Sequence, residues 1–213
     1  MGRATVDVLG RTGVEVEFPA EQTCCGQMHF NAGHVEEARA LACRFVNVFR
    51  SYDAVVTPSG SCAAHVRMHV PELTDGGGVA ERTWELSQYL VDALAVVDVG
   101  SKFRGSVVYH PTCHSLRLLR LGDRPIRLLD AVAGLELVPL ADADECCGFG
   151  GTFAVKNADV SAAMLDAKLD CVVASGAEAV CACDASCLLH IGGGLRRRGS
   201  RVRPVHLAEV LAS

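Results

Sequence analysis

The sequence predicts an α/β fold in which two similar parallel modules follow each other along the chain. Three observations predict it: an internal repeat, an alternation of short apolar runs with amphipathic segments, and a composition typical of globular proteins. Of the 213 residues, 50% are hydrophobic and 21% are charged, which excludes a disordered chain. We expect residues 1–100 to form the first module, incomplete at its N-terminus, and residues 101–213 to form the second.

The repeat is visible as two matched pairs of segments. Residues 13–26 resemble residues 134–148 with one insertion, and both segments end in Cys-Cys-Gly. Residues 53–66 align with residues 178–191 without a gap, and both contain Ser-Cys followed by a histidine three residues after the cysteine. Self-similarity in the same order indicates two copies of one structural unit.

Predicted strands and helices alternate within each copy. Short runs rich in valine and leucine, bounded by proline, glycine or polar residues, predict buried strands. These runs are Val14–Phe18, Ala54–Thr57, Val107–Tyr109, Leu135–Val138 and Ala179–Ala182. Apolar residues at helical spacing predict helices over Glu36–Phe49 and Val160–Val173. Because helices separate the strands, we expect parallel sheets.

The second copy has an upstream segment that the first copy lacks. Residues 107–114 contain a predicted strand followed by Cys113, and they precede the Cys-Cys-Gly of that copy. The same offset from the first Cys-Cys-Gly falls before residue 1. We therefore expect the first copy to lack one strand and one cysteine.

Cysteine is the unusual feature of the composition. The chain has 11 cysteines, an odd number, and no leading apolar segment of the signal-peptide kind, so we expect a cytoplasmic protein with reduced thiols. No apolar run reaches the length of a transmembrane segment. The net charge of −5 provides no basic field for nucleic acid. Metal binding or redox chemistry is the leading explanation of the cysteines.

Cysteines of the second copy follow the carboxyl ends of predicted strands, where open α/β sheets bind ligands. Adjacent cysteines at matching positions in both copies are hard to explain as core residues. A zinc site usually uses Cys-x2–4-Cys pairs and stays an alternative, whereas each iron of an iron–sulfur cluster can take one thiolate from a separate loop. Four cysteines of the second copy therefore predict one iron–sulfur cluster, bound by Cys113, Cys146, Cys147 and Cys187, and Gly148 would let the backbone approach it.

The first copy offers a smaller set. Cys24, Cys25 and Cys62 provide three ligands for a labile or incomplete second site. Cys183 stays open as a ligand of the second copy, while Cys181 is expected to pack within a strand.

Four histidines lie beside the predicted ligands. His65 and His190 follow the last cysteine of each copy by three residues, and His110 and His114 flank Cys113. An imidazole bonded to a cluster sulfur would tune the reduction potential. The simpler interpretation is a histidine at a helix start that bonds the backbone.

The order of these motifs resembles the cysteine-rich CCG domain found in heterodisulfide reductase and in the iron–sulfur subunit of glycolate oxidase. It is most similar to the lactate utilisation protein A family, along essentially the whole chain. The segments that carry this similarity are residues 17–19, 23–27, 58–62, 109–110, 146–151 and 187–191. The fuller CCG pattern ends in Cys-x-x-Cys, but Ser59 and Asp184 replace the first of those cysteines. That difference disfavours five-cysteine, non-cubane clusters and favours an ordinary four-cysteine [4Fe-4S] cluster in the second copy.

The resemblance implies an electron-transfer subunit of an iron–sulfur complex that oxidises L-lactate to pyruvate. Its partners would be two other lactate utilisation proteins, one of them a ferredoxin-like iron–sulfur protein. Two alternatives stay open: disulfide reduction or glycolate oxidation, as in the related enzymes, and a non-catalytic scaffold stabilised by zinc.

Overall fold

The computed structural model describes residues 1–213. Its helices are α1 (Gly2–Arg11), α2 (Gln27–Asn31), α3 (Val35–Phe49), α4 (Gly60–Leu73), α5 (Gly77–Glu81), α6 (Leu86–Gln88), α7 (Arg124–Asp130), α8 (Phe153–Lys156), α9 (Ala158–Ala174), α10 (Ala185–Arg197) and α11 (Leu207–Ala212). Its strands are β1 (Val55–Thr57), β2 (Thr83–Glu85), β3 (Lys102–Tyr109), β4 (Ala133–Val138), β5 (Ala179–Ala182) and β6 (Arg203–His206). Two π-helical turns cover Tyr89–Ala93 and His114–Leu118.

Both sheets are parallel, so the predicted fold class is confirmed. The first sheet pairs β1 with β2, and the second has the strand order β4-β3-β5-β6. β3 and β5 are its central strands, and all four residues of β5 are buried. Since the strands run in one direction, the loops that follow β3, β4 and β5 emerge at the same edge.

The predicted strand at Val14–Phe18 is wrong. Residues 14–18 form neither helix nor strand, whereas the matching segment of the second copy forms β4. β4 is held by pairing with β3, from Lys102 to Val108, and the first sheet contains only β1 and β2. An apolar run without a neighbouring strand has no partner for its backbone groups, so it does not become a strand.

The sequence pattern did not predict β2 and β6. They contain three and four residues, too few to show a periodicity. A usable signal was the ungapped match of residues 82–90 with residues 203–211, each of which begins with arginine and has leucine at its fifth and ninth positions. The repeat therefore extends to the last strand of each module.

One core joins the two modules. α1 packs against α11, and the same group of buried side chains includes Leu9, Leu90, Tyr109, Leu128 and Leu211. These residues come from both copies of the repeat. Because burial of each large apolar side chain stabilises the fold by roughly 1.5–3 kcal/mol, this shared core holds the modules together. No helix combines the length and the apolar character that crossing a bilayer requires.

Candidate metal centre

The four cysteines predicted to bind a cluster come from three neighbouring strand ends. Cys113 follows β3 and caps the π-helical turn that begins at His114. Cys146 and Cys147 lie in the loop after β4, and Cys187 lies in the first turn of α10, after β5. Because β4, β3 and β5 are adjacent and parallel, their following loops meet at one edge of the sheet.

The side chains of these cysteines form a connected group. The thiol of Cys113 hydrogen-bonds Cys146, Cys146 contacts Cys147, and Cys147 contacts Cys187. The Sγ atoms of Cys147 and Cys187 and a ring nitrogen of His110 all lie within 4.8 Å of one another. The structure thus brings together the four cysteines that the sequence singled out.

The thiols share their protons unevenly. Hydrogen bonds from Cys113 and Cys147 lower the pKa of Cys146 to about 2, and the backbone N–H of Gly148 also donates to its sulfur at 3.3 Å. Two effects raise the pKa of Cys113 and of Cys147: each donates a hydrogen bond to Cys146, and burial removes water from each thiol. Cysteines must lose their protons before they bind a metal, and Cys146 is already a thiolate. A metal that binds here therefore displaces only the protons of the neighbouring thiols.

The Cys-Cys-Gly turn requires glycine in both modules. Gly148 has φ +85°, and an added Cβ would lie 2.5 Å from the carbonyl oxygen of Ser161. Gly26 has φ +89° and donates its N–H to the Sγ of Cys24 at 3.4 Å. Only glycine adopts this backbone without strain, so the repeated turn aims an N–H at a cysteine sulfur twice.

His110 lies at the end of β3, and its ring faces the thiols. Only 1% of its surface is exposed, and neither ring nitrogen makes a well-formed hydrogen bond, although the backbone of Ala143 lies near enough to favour the protonated ring. Burial, together with the positive charge of Lys168, lowers the pKa of His110 to about 4. The ring is therefore neutral at physiological pH and retains free lone-pair and N–H functions.

The other three histidines have different surroundings. The amide of Gln27 donates to Nε2 of His114 at 3.0 Å. Nε2 of His190 lies 3.4 Å from the hydroxyl oxygen of Ser161. His65 is buried and has no partner at either ring nitrogen. His114 and His190 bond side chains, so the expectation of backbone bonding is not met for these two.

The first module brings fewer thiols together. A hydrogen bond from Cys25 lowers the pKa of Cys62 to about 7, and donating that bond raises the pKa of Cys25. Cys24 is exposed next to them. The site thus has three sulfurs, with no counterpart of Cys113.

The donor set of the second module fits an iron–sulfur cluster. Four thiols converge from three loops, two of them are adjacent in sequence, and a glycine turn provides an N–H to sulfur. Ligands that come from separate segments of the chain suit a cluster, because each of its several iron atoms takes its own thiolate.

Comparison with known proteins gives the same result as the motifs. The family model described as a cysteine-rich CCG domain matches residues 1–67 and 107–192. The lactate utilization protein A of Geobacillus kaustophilus is 46% identical over 99% of this chain and 91% of its own length. Those of an Exiguobacterium species and of Bacillus pumilus are 46% and 44% identical, over 99% and 100% of this chain and 90% and 92% of their own lengths. The chain belongs to the lactate utilization protein A family.

In this member of the family, Cys183 and Cys181 lie in the shared core. The Sγ of Cys183 is 3.1 Å from the hydroxyl oxygen of Ser115 and 3.6 Å from that of Tyr109. Both cysteines are buried on or directly after β5, among apolar side chains. Their environment is that of core residues.

Sequence analysis missed a hydrogen-bonded clasp between the modules. The hydroxyl of Ser59 donates to Oδ1 of Asp184 at 2.6 Å, and the hydroxyl and backbone N–H of Ser61 donate to the same oxygen at 2.8 and 3.1 Å. Thr112 donates to Oδ2 at 2.7 Å. Ser59 and Asp184 are the two positions where the fuller CCG pattern has cysteine. Their equivalence in the repeat was the available signal, because two copies that share one core can place matched turns against each other.

Proposed function

We propose that this protein is the iron–sulfur electron-transfer subunit of a complex that oxidises L-lactate to pyruvate. The observation that carries the proposal is the convergence of Cys113, Cys146, Cys147 and Cys187 from three strand ends. Its relatives are named for lactate utilization. We assign a [4Fe-4S] cluster to these four thiolates and an incomplete site to Cys24, Cys25 and Cys62.

The adjacent cysteines favour a cluster over a single zinc ion. Consecutive Cα atoms are about 3.8 Å apart, so Cys146 and Cys147 reach different corners of a large body more easily than they share one small ion. Structural zinc sites typically have two to four residues between paired cysteines.

When bound, a [4Fe-4S] cluster supplies a one-electron redox centre. The chain holds and shields it: Cys147 is 1% exposed, and the backbone N–H groups of Gly148 and Phe149 point at the sulfurs of Cys146 and Cys147. Such N–H donors favour the reduced, more negative state of a cluster.

Lactate oxidation releases two electrons and two protons, so one single-electron centre cannot complete it. We therefore assign substrate oxidation to partner subunits, and electron transfer between this protein and a ferredoxin-like iron–sulfur partner. All 11 cysteines are free, which suits a reducing compartment, and we place the complex in the cytoplasm.

The test is metal analysis of anaerobically prepared protein with electron paramagnetic resonance. We expect iron and sulfide in the wild type, their loss from the second module in Cys147→Ser, and their retention in Cys43→Ser, a control on the exposed surface of α3. A colourless protein that contains zinc would refute the cluster and favour the scaffold. A cluster-bearing complex that reduces disulfides or oxidises glycolate in preference to L-lactate would refute the assigned reaction.

A further inference from the structure

His110 is held rigidly but is left unpaired. Its backbone N–H donates to the carbonyl oxygen of Cys181 at 2.8 Å, which fixes the end of β3 against β5. Its ring is buried, and both ring nitrogens lack a partner. Buried polar groups in native proteins are nearly always hydrogen-bonded or bound to an ion, because their desolvation is otherwise uncompensated.

A second buried histidine, His206, has hydrogen-bond partners at both ring nitrogens. His206 is 3% exposed; its Nε2 lies 2.8 Å from the carbonyl oxygen of Pro58, and its Nδ1 accepts the N–H of Ala208 at 3.1 Å. Both ring nitrogens of this buried imidazole are therefore satisfied by protein atoms, whereas those of His110 are not.

The atoms that surround His110 have the chemistry of a metal site. A ring nitrogen and the Sγ atoms of Cys147 and Cys187 lie within 4.8 Å of one another, and this is the only such group of three or more histidine, cysteine or carboxylate donors in the chain. His65, the other histidine with both ring nitrogens buried and unpaired, instead packs its ring against Phe30 and His69. The unpaired ring nitrogens of His110 thus lie where the sulfurs of Cys147 and Cys187 converge.

We propose that a ring nitrogen of His110 binds metal beside Cys147 and Cys187, so that the second module holds a mixed imidazole and thiolate centre. This inference rests on the cluster assigned above and changes its ligand set: each of the four irons takes one protein ligand, so the imidazole replaces one of the four thiolates. A neutral imidazole in place of a thiolate reduces the negative charge held in the buried site, and such charge is costly to bury. Replacing thiolate by imidazole also raises the reduction potential of an iron–sulfur centre.

The experiment uses full-length protein reconstituted anaerobically with iron and sulfide, with and without ¹⁵N-labelled histidine. Pulsed electron paramagnetic resonance of the reduced protein should show a nitrogen coupling that changes on labelling. His110→Ala and His110→Cys should both lose this coupling. The cysteine variant, which keeps a donor at the position, should retain the cluster at a lower reduction potential than the wild type.

His190→Ala is the matched control, because His190 belongs to the same module but bonds Ser161, and it should keep the coupling. A wild-type cluster without any histidine nitrogen coupling, or a coupling that survives in His110→Ala, would overturn the ligand and leave the cluster assignment intact. Failure of the wild type to take up iron at all would overturn both.

Discussion

The two modules share a cysteine turn but differ in the strand that completes it. In each, a Cys-Cys-Gly segment directs an N–H at a cysteine sulfur, and another cysteine lies at the start of the helix after a strand, in α4 or α10. Only the second module has β3, which carries Cys113 and His110 to the common edge. The presence of this central strand therefore distinguishes the two sites: the first has three thiols, and the second has four thiols and an imidazole.

The comparison also shows where the modules depend on each other. The first sheet has two strands, which are rarely stable alone, and its helices share a core with α11 and β3. The smaller module is thus supported by the larger one. Variants at matched positions of the two copies test this dependence.

Leu90 and Leu211 occupy matching positions in the two copies, and both are fully buried in the shared core. Leu90→Ala and Leu211→Ala should each lower the free energy of unfolding by about 2–5 kcal/mol, because each leaves a cavity. Urea denaturation followed by far-UV circular dichroism should show one transition for each variant. Two separate transitions in either variant would mean that the modules unfold independently.

Glu85 and His206 also occupy matching positions in the repeat, where they cap the helices that follow β2 and β6. Their contributions to the free energy of unfolding should nevertheless change in opposite directions with pH. Burial raises the pKa of Glu85 to about 7, and burial lowers the pKa of His206. Between about pH 4.5 and 7 the folded state keeps a proton on Glu85 that the unfolded state loses, so this residue makes stability fall as pH rises. Below about pH 6.5 the unfolded state binds a proton at His206 that the folded state does not, so this residue makes stability rise with pH.

The measurement is the free energy of unfolding of metal-free protein across this pH range. Glu85→Gln should remove a fall of about 3 kcal/mol, since one pKa unit corresponds to about 1.4 kcal/mol. His206→Gln should remove the opposite trend. Parallel pH profiles for wild type and Glu85→Gln would contradict the buried, protonated carboxyl.

The two turn glycines should tolerate alanine unequally. Gly148→Ala places a Cβ 2.5 Å from the carbonyl oxygen of Ser161, whereas the nearest atom at Gly26 is the Cβ of Leu41 at 3.2 Å. Both variants bear the cost of a positive φ, about 1–3 kcal/mol, and only Gly148→Ala adds a backbone clash. We expect thermal denaturation to rank Gly148→Ala as the less stable. An equal or reversed order would show that the loop after β4 can shift freely.

The clasp on Asp184 should contribute less than the core. Asp184→Asn removes the charge that accepts from Ser59, Ser61 and Thr112. We expect a loss of about 1–2 kcal/mol, because hydrogen bonds to a charged acceptor, worth about 1.5–3 kcal/mol each, become neutral ones worth about 0.5–1.5 kcal/mol. Ser186→Ala, on the same turn of α10, serves as the control and should stay near the wild type in urea denaturation. Equal stability of Asp184→Asn and the wild type would show that the clasp is dispensable.

Local patterns predicted most of the second module. The apolar runs at residues 107–109, 135–138 and 179–182 become parts of β3, β4 and β5, because each has a neighbour with which to pair. The same type of run at Val14–Phe18 does not become a strand, since pairing depends on a neighbouring strand that the run itself does not specify. Spacing of cysteines also predicted which thiols would meet, because parallel strands deliver their following loops to one edge.

The duplicated α/β architecture, and the four thiols that meet beside the second sheet, could be predicted from the sequence, because repeats, periodicity and the order of strands are readable along the chain. Only the folded structure shows that His110 faces Cys147 and Cys187 without a partner, that Cys183 lies in the core, and that Ser59 meets Asp184. These facts depend on burial and on contacts between residues far apart in the chain. Only the packing of both modules around one core specifies them.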